Sequence, residues 1–328
     1  MVLLELALLL SGMALLFKGA EWVTDSASHV AEHFHTTSVA VGLIIVSVVL
    51  SLPELLVAAT TILKSHPQIG LGTILGSVIV NIGLIAGLCS MIRPLKLSRV
   101  ILLRDTIFMI VATIIVAVLA LEDNQLNHVE GVVFLLLFVP YLINVYQQEH
   151  EMGKKKAKAE GKRIVHTLQM VGYIPWLPVR VRDGFGIFVL GTAVLLVGAQ
   201  LFTEALIGLS QVFQINDLVI GITLGALGPS LPNLAAALQA TRKGMEELAI
   251  SETIGSNIFT LLVSVGLFAL ASPITLEASS RVITVPALLL ITFLFMGFTI
   301  KGRITRFEGG ILLFMYLAAV AAEILYLA

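Results

Sequence analysis

Ser51-Leu52-Pro53-Glu54 recurs as Ser230-Leu231-Pro232-Asn233, 179 residues further along the chain. Each copy lies inside a long apolar stretch and places a proline where an unbroken helix would otherwise run. Proline removes one backbone donor and disfavours helical geometry just before it, so both stretches should be discontinuous helices. Glu54 adds a carboxylate at the same depth, at a cost of about 2.5–3.5 kcal/mol even on the most lenient insertion scale. The second copy keeps the proline and replaces the acid with an asparagine.

The offset extends well beyond these segments. Without a gap, Gly12 aligns with Gly191, Gly19-Ala20 with Gly198-Ala199, Thr24 with Thr203, Gly42 with Gly221, Gly76-Ser77 with Gly255-Ser256 and Gly87-Leu88 with Gly266-Leu267. The halves are therefore repeats. The composition says what kind: 58% of the 328 residues are hydrophobic and 12% charged, against about 45–50% and 25% in a soluble domain. Apolar runs long enough to cross a bilayer are read near 2–30, 37–63, 70–91, 99–121, 130–147, 183–210, 217–240, 247–271, 281–299 and 307–327. A polar, lysine-rich stretch at 148–182 separates repeat 1–147 from repeat 183–328. Five spans per repeat is an odd number, so the second copy must insert upside down. The expected fold is an all-α polytopic membrane protein of ten transmembrane helices, two inverted five-helix repeats with helices 2 and 7 broken. Inverted repeats with discontinuous helices at matching positions point to a secondary transporter whose site lies near mid-membrane.

The distribution of Lys and Arg tests the span count. Alternating the loops outward from 148–182 gives 17 basic residues on the side of that loop and two, Lys64 and Arg281, on the other. By the positive-inside rule the central loop is cytoplasmic and both termini are extracytoplasmic, in a plasma or bacterial inner membrane. No basic residue precedes Lys18, so the start lacks the basic region of a signal peptide. The single cysteine, Cys89, excludes an internal disulfide or a multi-cysteine metal site; a small apolar helix residue is the simpler reading. The sequence has no Walker loop, dinucleotide fingerprint or nucleophile–base arrangement, so neither catalysis, a bound cofactor, a nucleotide nor a nucleic acid is expected. Transport would be driven by gradients.

The chemistry falls on four spans. The prolines of spans 2 and 7 free backbone carbonyls, which must find partners or line a cavity. Ser51-x-x-Glu54 also has the spacing of a capping box, in which the acid would merely bond a backbone amide. Spans 3 and 8 carry Gly72-Thr73-Ile74-Leu75-Gly76-Ser77-x-x-x-Asn81 and Glu252-Thr253-Ile254-Gly255-Ser256-Asn257-x-x-Thr260. Their glycines suit close helix packing, and Ser77 and Asn81 share a helix face. Glu54, Asn81, Ser51, Ser77 and freed carbonyls would form an all-oxygen site, suited to Ca²⁺, Mg²⁺ or Na⁺ rather than to Zn²⁺ or Cu⁺.

At these motifs the chain resembles the calcium/cation antiporter superfamily, above all the prokaryotic Na⁺/Ca²⁺ exchangers, over its full length. The family pattern is roughly G-T-S-L-P-E followed by G-N-x-x-G-S-N-I-x-N/D, once per repeat. The resemblance implies that Glu54, Asn81, Ser51, Ser77, Ser230 and Ser256 contact the transported Ca²⁺ or Na⁺. Ser47, Ala226, Asn233 and Thr260 complete the candidate set, and spans 1 and 6 would slide as the gating pair. The chain departs from the pattern at Leu50 and Pro229, where the family has threonine. It departs again at Asn233 for the second glutamate, at Thr260 for the second Asn/Asp, at Thr73 for the Asn of the Gly-Asn pair, and at Ser251-Glu252 for the second pair. One carboxylate about 4 Å from a divalent ion contributes roughly 8 kcal/mol before desolvation at an effective dielectric of 20, so losing one is not neutral. Glu252, at the expected start of span 8, reads as an N-terminal acid facing the helix dipole, or else as compensation.

Other ionisable residues carry weaker signals. Lys18 should snorkel or pair with an acid, Glu21, Asp25, Asp105 and Glu204 should pair or sit near interfaces, and His29, His33 and His35 form either a solvated cluster or a pH sensor. The functional expectation is Ca²⁺/Na⁺ exchange by alternating access, with a lipid bilayer and inorganic cations as partners. The alternatives are cation/H⁺ or monovalent cation exchange and a transport-inactive regulatory relative.

Overall fold

In the computed structural model, residues 2–33, 51–99, 101–156 and 185–327 are described. They form helices α1 (Val2–His33), α2 (Leu52–Leu63), α3 (Pro67–Ile92), α4 (Ile101–Glu122), α5 (His128–Lys156), α6 (Phe185–Phe213), α7 (Asp217–Arg242), α8 (Glu246–Ala271), α9 (Ser280–Thr299) and α10 (Arg306–Leu327). Among the described residues all of these but α2 are long and apolar enough to cross a membrane. The earlier part of the span expected at 37–63, with Ser47, lies outside the described residues, as do His35 and most of the central loop.

Local sequence accounts for the helix ends. Asn216 caps α7 by accepting from the Leu218 N–H at 2.7 Å. Two capping boxes stand at equivalent places in the repeats. At α5 the Asn127 N–H donates to Glu130 and the Asn127 side chain accepts from Val129. At α10 the Thr305 N–H donates to Glu308, whose own N–H donates to the Thr305 hydroxyl. Ser51, by contrast, makes no capping bond to α2, so the capping-box reading of Ser51-x-x-Glu54 is not what the fold uses.

Four two-residue strands make the repeat symmetry explicit. β1 (Leu95–Lys96) pairs with β4 (Arg303–Ile304), and β2 (Gln125–Leu126) with β3 (Ile274–Thr275). Exchanging the repeats carries β1 onto β3 and β4 onto β2. The register survives the exchange, since Leu95 opposite Ile304 becomes Ile274 opposite Leu126. All four of these side chains are buried. The β1–β4 ribbon carries Lys96 and Arg303, and Arg306 donates to the Ile92 carbonyl beside it. An Arg93–Glu246 ion pair joins the start of α8 to the same end of the bundle. The β2–β3 ribbon is uncharged, and its end holds His66–Asp217 at 2.6 Å and Arg281 donating to Asn124 at 2.9 Å. The basic loops thus gather at one end of the helices, as alternating spans require.

Within the bundle, α3, α7 and α8 are the most enclosed, with 83%, 67% and 72% of their apolar windows buried. α2 packs with them, while α1, α5 and α10 expose broad apolar faces. α1 lies along α6 at glycine contacts. A Cβ on Gly12 would come within 2.6 Å of the Phe202 nitrogen, and one on Gly198 within 2.8 Å of the Leu16 nitrogen. Side chains would hold these backbones apart, which is why matching glycines mark spans 1 and 6.

Candidate cation site

Span 7, expected to be broken, runs as one helix that widens instead of breaking. Its residues 221–225 form a π-helical turn (Gly221–Gly225), and the helix then continues through Pro229 and Pro232. The prolines lack the N–H groups that would bond carbonyls four residues earlier, at Gly225 and Gly228, and the widened turn ends at the first of these. α3 and α8 carry matching π turns, Val80–Ala86 and Thr260–Ser264, opening beside Asn81 and at Thr260. α2 begins at Leu52, with Pro53 in its first turn. Gly72 and Gly76 of α3 let that helix approach α7 closely, and Ala226 faces Gly76 with its methyl group.

These elements bring the two repeats together at one buried polar cluster. Ser51, Glu54, Ser77, Asn81, Ser256 and Thr260 are fully buried, and Ser230 and Asn233 nearly so. Ser51 Oγ lies 2.7 Å from Ser256 Oγ. Ser230 donates to Glu54 Oε1 at 3.3 Å, and Asn233 Nδ2 donates to Ser256 Oγ at 3.1 Å. Asn81 Nδ2 donates to Asn257 Oδ1 at 2.8 Å.

The remaining oxygens define the chemistry. Among the described residues, Glu54 Oε2, Asn81 Oδ1, Asn233 Oδ1, Ser77 Oγ and Thr260 Oγ1 are buried without a hydrogen-bond partner. An unmatched buried polar atom costs about 1–3 kcal/mol. Here the carboxylate and amide oxygens are acceptors only, and each amide already donates an N–H elsewhere, Asn81 to Asn257 and Asn233 to Ser256. What the described cluster lacks is positive charge, which a hard cation supplies. Among the described residues no group of three or more His, Cys, Asp or Glu could hold a metal ion; neutral oxygens dominate, as the motifs imply.

The sequence profile of the sodium/calcium exchanger protein family matches residues 4–147 and 184–325. The chain belongs to the sodium/calcium exchanger family. Among its relatives, a putative antiporter, CaxA, of Alkalimonas amylolytica is 31% identical over 94% of this chain and 95% of its own. The sodium/calcium exchanger MaX1 of Methanosarcina acetivorans is 29% identical over 97% and 98%. The sodium-calcium exchanger NCX_Mj, in a structure soaked with 100 mM Na⁺ and 10 mM Sr²⁺, superposes with a TM-score of 0.68 at 27% identity, covering 98% of this chain and 99% of that one. The chain is thus a cation antiporter of the exchanger family, with its ten-helix inverted-repeat fold.

This exchanger-family chain also holds site features that its motifs alone did not single out. Asn257 fixes the Asn81 amide and in turn donates to Met109 Sδ of α4 at 3.7 Å. The only sequence signal for it is its place in the Gly-Ser-Asn triplet. Glu252 is not an N-terminal acid: α8 starts at Glu246, and Glu246 and Glu247 occupy its first turn. Glu252 lies further along and is buried, with both carboxylate oxygens unpartnered. Elsewhere the acids are matched as expected, Lys18 with Glu21 at 2.7 Å, Lys64 with Glu204 at 2.9 Å and Arg104 with Asp105 at 2.7 Å. Cys89 is buried and free.

Proposed function

We propose that this protein exchanges Ca²⁺ for Na⁺ across a plasma or inner membrane by alternating access, with Glu54 as the principal charged ligand. The observation that carries this reading is that, among the described residues, Glu54 Oε2, Asn81 Oδ1 and Asn233 Oδ1 are buried and unpartnered on side chains tied together across the repeats by the Ser51–Ser256, Ser230–Glu54 and Asn81–Asn257 contacts. Ser77 and Thr260 add neutral oxygens from α3 and α8, Ser51, Ser230 and Ser256 add hydroxyls, and Ala226 and Ser47, the latter outside the described residues, are the remaining candidate contacts. The similarity to MaX1 and NCX_Mj, a sodium/calcium and a sodium-calcium exchanger, supports this choice of ions. In this reading repeats 1–147 and 183–328 move relative to one another, α1 and α6 slide as the gating pair, and the loop at 148–182 is cytoplasmic with both termini outside.

The test is isotope flux in proteoliposomes. An imposed Na⁺ gradient should drive ⁴⁵Ca²⁺ uptake, and Glu54→Gln should abolish it. Cation movement driven by a pH gradient, with no Ca²⁺ uptake under a Na⁺ gradient, would establish proton-coupled exchange in its place. No cation flux and no cation-dependent stabilisation would establish a transport-inactive relative.

A further inference from the structure

The exchanger pattern has an acid at the position of Asn233, and this chain has none there. Another acid stands nearby on α8. Glu252 is 6% exposed, and among the described residues neither of its carboxylate oxygens has a hydrogen-bond or ion-pair partner. It shares one face of α8 with Ser256 and Thr260, at successive spacings of four. Ser256 is the residue that touches both Ser51 and Asn233, so Glu252 stands one helical turn, about 6 Å, from the middle of the cluster. It is within electrostatic reach of Glu54. The repeat-equivalent residue is Thr73, whose hydroxyl is satisfied by the Ile69 carbonyl at 2.8 Å. The first repeat therefore carries its acid on the proline helix, and the second carries its acid on the following helix.

We propose that Glu252 is the second acidic ligand of the transported cation, supplying from α8 the charge that Asn233 does not supply from α7. This rests on the antiporter reading above and names its substrate class as a divalent hard cation. Two buried carboxylates within reach of each other repel, and neither has a basic partner among the described residues. A divalent ion between them converts that repulsion into two attractions and leaves the site neutral, whereas a monovalent ion leaves one negative charge uncompensated. Glu252 also lies within electrostatic reach of Cys89 on α3, toward the basic end of the bundle. The charge has thus moved off the symmetry-related position, toward the side of Arg93 and Glu246.

The full-length protein, purified and reconstituted, tests this by moving the charge. Wild type, Glu252→Gln, Glu54→Gln and the double variant Glu252→Gln/Asn233→Glu are compared by Na⁺-driven ⁴⁵Ca²⁺ uptake and by Ca²⁺-dependent thermal stabilisation in detergent. Glu252→Gln should raise the half-saturating Ca²⁺ concentration at least 30-fold, and the double variant, with the acid returned to α7, should recover to within about tenfold of wild type. A purely structural role for Glu252 would not be rescued by an acid on another helix. Glu252→Thr, which copies Thr73, substitutes if Glu252→Gln does not fold. Uptake by Glu252→Gln within threefold of wild type, or a loss that Asn233→Glu does not restore, overturns the proposal. If Glu54→Gln abolishes uptake while Glu252→Gln does not, this inference alone fails. If Glu54→Gln transports Ca²⁺ normally, the parent reading fails with it.

Discussion

Replacing Glu54 by Gln should move stability and ion affinity in opposite directions. Without Ca²⁺, wild type keeps a fully buried carboxylate whose Oε2 has no partner among the described residues. An orphaned acceptor costs about 1–3 kcal/mol, and an acid at this depth about 2.5–3.5 kcal/mol on the insertion scale. Gln has nearly the same shape and can still accept from Ser230 through its amide oxygen. It also brings N–H donors to a cluster that is short of them. Glu54→Gln should therefore stabilise the ion-free protein by about 1–3 kcal/mol, a rise of a few degrees in melting temperature. For the bound state, Coulomb attraction to a divalent ion at about 4 Å is roughly 8 kcal/mol at an effective dielectric of 20, before desolvation. If desolvation cancels half to three quarters of that, about 2–4 kcal/mol remains, or roughly a 30- to 1,000-fold rise in half-saturating Ca²⁺. The assay is thermal unfolding in detergent across a Ca²⁺ titration, for both proteins. A Glu54→Gln protein that melts lower without Ca²⁺, or keeps a Ca²⁺-dependent rise with a midpoint within threefold of wild type, would refute this account of the site.

Three further outcomes follow from particular contacts. Asn257→Ala removes the acceptor that turns the Asn81 oxygen toward the cluster; it should weaken cation affinity about 5- to 30-fold while the protein still elutes as a folded species, measured by the same titration. Gly12→Val places a side chain against the Phe202 backbone, where even a Cβ would sit 2.6 Å from its nitrogen. It should destabilise by about 1–3 kcal/mol or more and slow transport, seen in melting temperature and initial flux rate. Cys89 is the only cysteine and is buried, so a single new cysteine in place of Lys155 reports topology cleanly. An impermeant thiol reagent should label it from the cytoplasmic face and not from outside, and labelling from outside would invert the orientation.

Much of the fold was readable because its signals are backbone signals. Glycines 12 and 191, 19 and 198, and 87 and 266 match across the repeats because helices touch there, and a larger residue would not fit without a shift. The basic residues betrayed which loops share a side, and the β1–β4 ribbon with the Arg93–Glu246 pair now shows those loops side by side. The ribbons themselves were not legible, since two-residue strands leave no periodicity. The π turn of α7 was also hidden: a proline in sequence says that carbonyls are freed, not whether the helix breaks or widens around them. At the site, identity was easier to read than role. Ser51-x-x-Glu54 fits a capping box as well as a ligand pair, and the structure removes the first reading, since Ser51 makes no capping bond and lies against Ser256. Glu252 was misread for a similar reason. The expected start of span 8, at 247, is one residue from the Glu246 where α8 begins, so Glu252 already lies past the first turn, where the dipole acts, and what the sequence does not show is its burial one turn from Ser256.

The repeats keep the backbone in common and divide the chemistry. In an inverted-repeat antiporter, exchanging the conformations of the two halves converts one access state into the other. Were the side chains also equivalent, the two states would be equal in energy, and any bias would have to come from the membrane or the ions. In this chain Glu54 answers to Asn233, Asn81 to Thr260 and Thr73 to Glu252, so the exchange is not neutral. The asymmetry is visible in the hydrogen bonds as well. Ser256 is held by Ser51 and Asn233, whereas the hydroxyl of Ser77, its counterpart, has no partner among the described residues. A difference of about 1.4 kcal/mol between the states already shifts their populations tenfold. One unmatched buried oxygen is worth that much. Side-chain departures at the cluster can therefore set which access state dominates between transport events, while the shared glycines, prolines and π turns keep both states within reach of one backbone.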